Sequence, residues 1–341
     1  MDLETRLINN IMVPYAIGIY DGNESYSFYS TDFMNPYKMM ENAIEHLMKR
    51  KYHNYKVYLH NLSNFDGIFL LKILTSLSEK INILIREGRI IDIKFKFGSN
   101  NYILYFRDSY LLLPSSLRKL AINFNVKEKG LFPYKFVNEN NLEYIGKTPN
   151  ISFFNDISLE EYEGIISYSW NLEEELKKYL SLDLKSLHEV MTIFINDIYN
   201  VEKINVTKLS TNSAISFKIF RTNYLEKTKL PIIKGVTHKE IRNAYYGGVV
   251  EVFKNQGNNL NYYDVTSLYP FAMLNSMPTG DMFFSNDPCL ENYFGVVYVE
   301  VDTSNFNFSY INYPLLPHKI NGRMYNPLGK WSGWYFSEEL K

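Results

Sequence analysis

The chain has 341 residues, 46% of them hydrophobic, with a formal net charge of −1: enough apolar material for cores in two domains of ordinary size, and far from a disordered or fibrous composition. The near-neutral balance announces no polyanion partner, so any nucleic acid would need a local basic groove, and the single cysteine, Cys289, excludes an intramolecular disulfide framework or a cysteine-cluster zinc site and reads as an ordinary packing residue. Apolar runs such as IFLLKIL at 68–74 fall far short of the roughly 20 residues that cross a bilayer, and the acidic opening MDLETR fits neither a secretory signal nor an Arg-rich transit peptide.

Asp2 and Glu4 stand two apart, which on a strand puts both carboxylates on one face, although a polar chain end explains an isolated D-x-E more simply. VPYAIGIYDG and YSFYS then flank a DGN turn, the chemistry of a hairpin. A helix is expected at 37–50, a strand at 55–60 and a helix at 66–79, with Asp66 closing HNLSNFDG at the junction. Alone, Asp66 fits the common part of an acid complementing a helix dipole. INILIREGRIIDIKFKF and NYILYFRD read as three more strands, and 125–157, rich in Pro, Gly and Asn, as an extended loop. The segment 171–197 has an acidic first turn and apolar residues at helical spacing, the pattern of a long helix. On it Tyr179 and Asp183 are four apart and share one face, which an exposed helical face would explain equally well. A domain boundary is expected near 200, and beyond it NYYDVTSLYPFAML at 261–274 sets Asp264 among aromatic and apolar neighbours. That pattern reads as the mouth of a buried strand, where an ionised acid is costly unless paired or bound to a metal.

Together the acids say more than any one of them. Four carboxylates from two strands and a helix, with a phenol beside the last, are what two-metal hydrolysis of a phosphodiester needs: acids to hold two divalent ions about 3.5–4 Å apart and a hydroxyl to orient the attacking water. Oxygen-only ligands suit Mg²⁺ or Mn²⁺.

The stretches DLE at 2–4, N-x3-FD at 61–66 and Y-x3-D at 179–183 resemble the three exonuclease motifs of the 3′–5′ proofreading domain of family B DNA polymerases. That resemblance implies an α/β, RNase H-like exonuclease domain over 1–200, with Asp2, Glu4, Asp66 and Asp183 as metal ligands and Tyr179 positioning the water. It also implies that Asn61 and Phe65 touch a single-stranded 3′ end, with Phe65 offering a stacking face. Ser109 and Tyr110 in DSYLLLPSSLRKL fall where the family's (S/T)-L-x2-h motif binds single-stranded DNA, with Tyr110 departing from the usual leucine. Downstream, YxGG at Tyr245, Gly247 and Gly248 resembles the family's link to the template strand, although adjacent glycines standing alone would suggest a tight hairpin or bulge. DVTSLYP is similar to the polymerase motif Dx2SLYP, which implies that Asp264 binds the catalytic metals of an α+β palm and Tyr269 stacks under the sugar of the incoming nucleotide.

The wording HNLSNFDGIFLLK and LLPSSLRKLA looks most like the protein-primed polymerases of fungal mitochondrial linear plasmids. A mitochondrial site of action follows, with DNA (a single-stranded 3′ end or a primer-template), dNTPs and a terminal protein primer as partners, and no membrane. On this resemblance 201–341 is the start of a polymerase domain, and the family's Lys-bearing nucleotide helix and its DTD metal ligands are expected beyond Lys341. VDTS at 301–304 lacks the second acid of DTD, so Asp302 reads as an ordinary strand-end residue. The first exonuclease strand is likewise expected to have lost apolar residues before Asp2. The expectation is therefore a truncated DNA-directed DNA polymerase that does not itself polymerise. The rivals are a degenerate DNA-binding remnant without catalysis and a stand-alone metal-dependent 3′–5′ exonuclease.

Overall fold

The computed structural model describes residues 1–126, 130–155, 157–225, 230–248, 250, 252, 254–305 and 316–341. They form a mixed α/β protein of two compact units, Met1–Glu226 and Lys227–Lys341. No described helix is long and apolar enough to cross a membrane.

In the first unit, strands β1 (Asp2–Ile8), β2 (Ile11–Tyr20) and β3 (Ser25–Tyr29) make an antiparallel meander around the DGN turn. Helix α1 (Pro36–Leu47) follows, with Pro36 in its first turn and the Asn35 side chain accepting from Lys38 N–H. Strand β4 (Lys56–Leu59) leads to helix α2 (Asp66–Leu77), and β5 (Lys80–Arg86), β6 (Arg89–Phe97) and β7 (Tyr102–Asp108) complete a second sheet of order β4-β7-β6-β5. β4 runs parallel to β7, so the two strands end side by side at Leu59 and Asp108. β1 and β4 are edge strands of their sheets, and they approach where the Met1 amino nitrogen donates to the Tyr58 carbonyl at 3.1 Å.

Beyond helix α3 (Leu117–Asn123), the stretch expected as an extended loop carries a short helical turn at Tyr134–Phe136 and the strand β8 (Ile145–Gly146). After α4 (Leu159–Glu163), β8 pairs with β9 (Trp170–Asn171) at the head of α5, which runs from Leu172 to Glu202. The Asn171 side chain caps α5 by accepting from Glu173 and Glu174 N–H, three glutamates complement the dipole in its first turn, and the helix ends at Lys203 in a left-handed conformation. The unit continues past this helix because the buried Arg107, paired with Asp92 at 3.1 Å, donates to the carbonyls of Thr207 and Leu209 and ties the segment before α6 (Asn212–Ile219) to the second sheet.

The register of β1 against β2 decides what α5 meets. Asp2 lies opposite Gly18 and Glu4 opposite Ala16, and directly opposed residues of an antiparallel pair share a face. On the other face Leu3, Ile17 and Ile19 join the core with α1 and α2. A bulge follows Glu4, where the register passes over Tyr15 and the ring joins the cluster with Tyr29, Phe132, Leu176 and Tyr179. A Cβ at Gly18 would lie 2.6 Å from Leu184 Cδ1 and 3.4 Å from Leu180 Cβ, so the glycine lets α5 rest on β2.

The second unit contains α7 (Gly235–Asn243), α8 (Leu268–Ala272), a two-stranded antiparallel pair β10 (Val296–Asp302) with β13 (Lys330–Phe336), and a small hairpin β11 (His318–Ile320) with β12 (Arg323–Tyr325). Its buried anchor is Tyr335, whose hydroxyl accepts from Trp331 Nε1 and donates to Pro317 O while its ring stacks on Tyr246. Asp302 does end a strand, as expected, and pairs with Lys330 at 2.8 Å. Two expectations fail. Asp264 is exposed and outside any strand, because Asn261–Val265 has no sheet partner among the described residues. Cys289 is exposed rather than packed, in a turn where its N–H donates to the Asp287 carboxylate.

Gly18→Ala is expected to destabilise the protein by about 1–3 kcal/mol through overpacking against Leu184. In a Leu184→Ala background the same change should be close to neutral, a coupling read from urea unfolding of the four proteins.

Candidate active site

Four elements bring side chains to one region of the first unit. β1 supplies Asp2 and Glu4, the start of α2 supplies Asp66, and the middle of α5 supplies Tyr179 and Asp183. The fourth contributor is the turn at Tyr134–Phe136, which the sequence did not mark. Tyr134 hydrogen-bonds the Tyr179 hydroxyl, and Tyr179 in turn donates to Asp183 Oδ2. The expected face sharing of Tyr179 and Asp183 is therefore a direct contact on the buried side of the helix.

Asp66 is placed by the backbone before it. Asn61 takes a left-handed conformation at φ 82°, which asparagine tolerates, and its carbonyl accepts the N–H groups of Asn64 and Phe65. Gly67 then passes so close to the chain that a Cβ there would stand 2.7 Å from Leu62 O and 2.8 Å from Ile90 Cδ1, which accounts for the glycine after the acid. The Phe65 ring meets Phe69 edge on, and the Asn61 side-chain carbonyl accepts from Asn64 Nδ2.

Charge is concentrated here with little water to screen it. Glu4, Asp66 and Asp183 retain 8%, 3% and 2% of their accessible surface. Burial, and after it the neighbouring Asp2, pushes the Asp66 carboxyl up to about 8. Burial also holds the Tyr179 phenol well above its ordinary range, with Glu4 and Asp183 adding to the effect, so it stays protonated at every physiological pH. Tyr15 is raised in the same way, by burial and then by Glu4. As they stand, no three His, Cys, Asp or Glu side chains among the described residues are grouped closely enough to hold a metal ion. Asp2 adds to the raised proton affinity of Asp66, and in kind the acids are the oxygen-only donors that hard divalent cations take.

Ser109 and Tyr110 follow β7. Ser109 is wholly buried, its hydroxyl within 3.2 Å of Leu59 O and 3.0 Å of His60 Nδ1, and His60 Nε2 reaches Ser115 O. Tyr110 is the exposed member of this pair, its ring edge-on to His60. Asp108, which no motif or spacing singles out, is also wholly buried and binds the backbone of both segments. In the second unit Tyr245, Gly247, Gly248, Asp264 and Tyr269 are exposed. Neither glycine has a positive φ, so neither is needed there for a left-handed turn. A Cβ at Gly248 would lie 3.6 Å from the Tyr269 hydroxyl, which puts the YxGG and SLYP segments side by side.

Residues 46–341 match the family described as DNA polymerase type B, organellar and viral. A probable DNA polymerase of Neurospora intermedia is 38% identical over 98% of this chain, and one of Ascobolus immersus is 34% identical over all of it. The chain spans 37% and 30% of the lengths of these two relatives. A DNA-directed DNA polymerase of Enterobacteria phage PRD1 is 23% identical over 84% of the chain. Among solved structures, Phi29 DNA polymerase complexed with single-stranded DNA superposes with a TM-score of 0.60 at 19% identity, covering 99% of this chain and 56% of that one. Its ternary complex with primer-template DNA and incoming nucleotides gives 0.57 at 18%.

The raised Asp66 carboxyl has a consequence for stability. Its affinity for a proton is higher folded than unfolded, so stability in chelator falls as pH rises from near 4, where the unfolded group ionises, to about 8, and levels off above that. Asp66→Asn should therefore raise Tm at pH 8 and change it little at pH 4, as read by thermal melts in EDTA.

Proposed function

The chain belongs to the type B DNA polymerases of organelles and viruses, and from that membership we propose that its first unit is a metal-dependent 3′–5′ exonuclease for single-stranded DNA ends and its second unit the opening part of a polymerase region. The observation that carries this reading is that Asp66 neighbours Asp2 while the buried phenol of Tyr179 neighbours Glu4 and bonds Asp183, which sets the four acids along one side of the unit. The meander β1–β2–β3, with the acids on its first strand and α5 laid across it, supports an RNase H-like fold for this unit.

The four carboxylates would hold Mg²⁺ or Mn²⁺, which when bound neutralises phosphate charge and makes water a better nucleophile. The chain's own groups do the rest. Tyr179, protonated and held between Tyr134 and Asp183, presents its hydroxyl to orient the attacking water. It cannot act as a base, because its proton is retained. Asn61 and Phe65 receive the single-stranded 3′ end, Phe65 by stacking. Tyr110 offers an exposed ring against His60, while the buried Ser109 is read as supporting this surface through the bond of its hydroxyl to His60 rather than by touching DNA.

In the second unit, Asp264 is assigned to the metals of synthesis and Tyr269 to the sugar of the incoming dNTP. Tyr245, Gly247 and Gly248 are assigned to the template strand. The proximity of Gly248 and Tyr269 supports a shared role for the two segments. The full-length protein is thereby read as a protein-primed DNA-directed DNA polymerase with a terminal protein as primer, acting in mitochondria. The family's organellar description and the fungal relatives support that location. The reading of a DNA-binding remnant without catalysis draws on one observation, that the acids do not converge as a group of three.

Purified chain is expected to shorten 5′-labelled single-stranded DNA slowly from its 3′ end in millimolar Mn²⁺. Asp66→Ala should abolish the activity, and Tyr179→Phe should lower it by up to about a hundredfold. Shortening that persists in Asp66→Ala would place the activity elsewhere, and DNA binding without any shortening would favour the remnant.

A further inference from the structure

Asp108 closes β7 with no exposed surface, yet it makes no ion pair among the described residues; its partners are backbone amides. Oδ1 accepts the N–H groups of Asn61 at 2.9 Å and Tyr110 at 2.8 Å, and Oδ2 accepts that of Ser63 at 2.8 Å. Hydrogen bonds to an ionised acceptor are about twice as strong as neutral ones, so three on one buried carboxylate form a stiff joint.

Its location gives the joint its meaning. β4 and β7 are paired only as far as Leu59 and Asp108, and past that point the ladder no longer sets the spacing of the two chains. Asp108 takes over there. One chain runs on as His60–Asp66 and the other as Ser109–Tyr110. Within the first, Asn61 O receives Phe65 N–H at 3.1 Å and Leu62 O receives Gly67 N–H at 2.9 Å, so Asp108 holds Asn61 and, through Asn61 and Ser63, both sides of Leu62, the two residues whose carbonyls set Phe65 and Asp66.

We propose that Asp108 is a positioning residue for single-stranded DNA, clamping the Asn61–Phe65 turn and the Tyr110 segment into one contact surface of fixed spacing. The assignment rests on the exonuclease reading above. It touches neither the DNA nor the reacting atoms, and its effect falls on binding before it falls on the chemical step.

Asp108→Asn tests this with almost no change of volume. The amide keeps one acceptor oxygen for two of the N–H groups and sets its own NH₂ against the third, donor to donor. Three measurements are made on the wild type and the variant. Hydrogen exchange should show lost protection at Asn61, Ser63 and Tyr110 with the amides of β6 unchanged. Anisotropy of a fluorescent oligothymidylate in EDTA should show affinity lowered about tenfold, corresponding to about 1.4 kcal/mol. In Mn²⁺, KM for shortening should rise about tenfold while kcat stays within about threefold. Wild-type affinity in a variant whose three amides have lost protection overturns the assignment, and so does loss of protection across β6 and β7, which would make Asp108 a residue of general stability. A variant that binds normally but turns over slowly also overturns it. If the wild type neither binds nor shortens the oligonucleotide, the exonuclease reading falls and this assignment falls with it; an active wild type matched by an equally active variant sinks this assignment alone.

Discussion

The contact of α5 with β2 is the constraint on which the first unit depends. A helix carrying Tyr179 and Asp183 can face the acids of β1 only if it lies on the sheet face that bears them, and it can come that close only where the neighbouring strand has no side chains in the way. The register supplies this: the residues opposite Asp2 and Glu4 are Gly18 and Ala16, the two smallest available. The rest of the arrangement follows from the closeness. Asn171 and the glutamates fix where the helix starts, and counting on from there puts Leu180 and Leu184 over Gly18 and turns Asp183 inward.

That closeness has an electrostatic price. Burying carboxylates near one another is unfavourable, and burial first, with the neighbouring Asp2 second, raises the Asp66 carboxyl. At Asp66 this cost is limited by a backbone N–H and by the Met1 amino group, and at Asp183 by the hydroxyl that Tyr179 donates. Tyr15, Tyr29 and Tyr179, with Tyr134 against them, pack as one cluster through their apolar bodies, and of their hydroxyls that of Tyr179 is donated to an acid while that of Tyr29 goes to Leu142 O. A lysine or arginine in their place would neutralise the acids and remove their capacity to hold a cation. The 29 tyrosines of the chain therefore have at least one structural use.

Features set by short-range spacing were legible in the sequence. The DGN hairpin, the acid at the head of α2, and the i, i+4 relation of Tyr179 to Asp183 all depend on neighbours within a turn or two, and each appears as read. Features that depend on what lies across the fold were not. Tyr15 looks like any alternating strand residue, and only pairing with β1 reveals the bulge that moves it to the side of α5. Asp108 looks like the polar end of a strand, because the amides that make it important belong to a segment 45 to 47 residues earlier. Tyr134 sits in a stretch with no periodicity at all, so nothing local distinguishes it from its neighbours. The boundary past 200 was hidden for the same reason: Arg107 ties down the segment through carbonyls 100 and 102 residues away.

Asp264 is the reverse case, a residue whose motif is plain and whose predicted setting is not met. A buried strand is defined by its neighbours as much as by its own sequence, and aromatic flanks report only that a segment is able to be buried. In the second unit the described strands form two pairs, neither of which receives Asn261–Val265, so the apolar side chains around Asp264 stay exposed. What does form locally is what spacing can specify: SLYP opens the short helix α8 after Ser267 in a left-handed conformation, and this turn sets the Tyr269 hydroxyl beside Gly248. A side chain at 248 would reach van der Waals contact with that hydroxyl, so the glycine keeps open the space next to the phenol. The two motifs thus approach each other at Gly248 and Tyr269, and that approach needs no strand around Asp264.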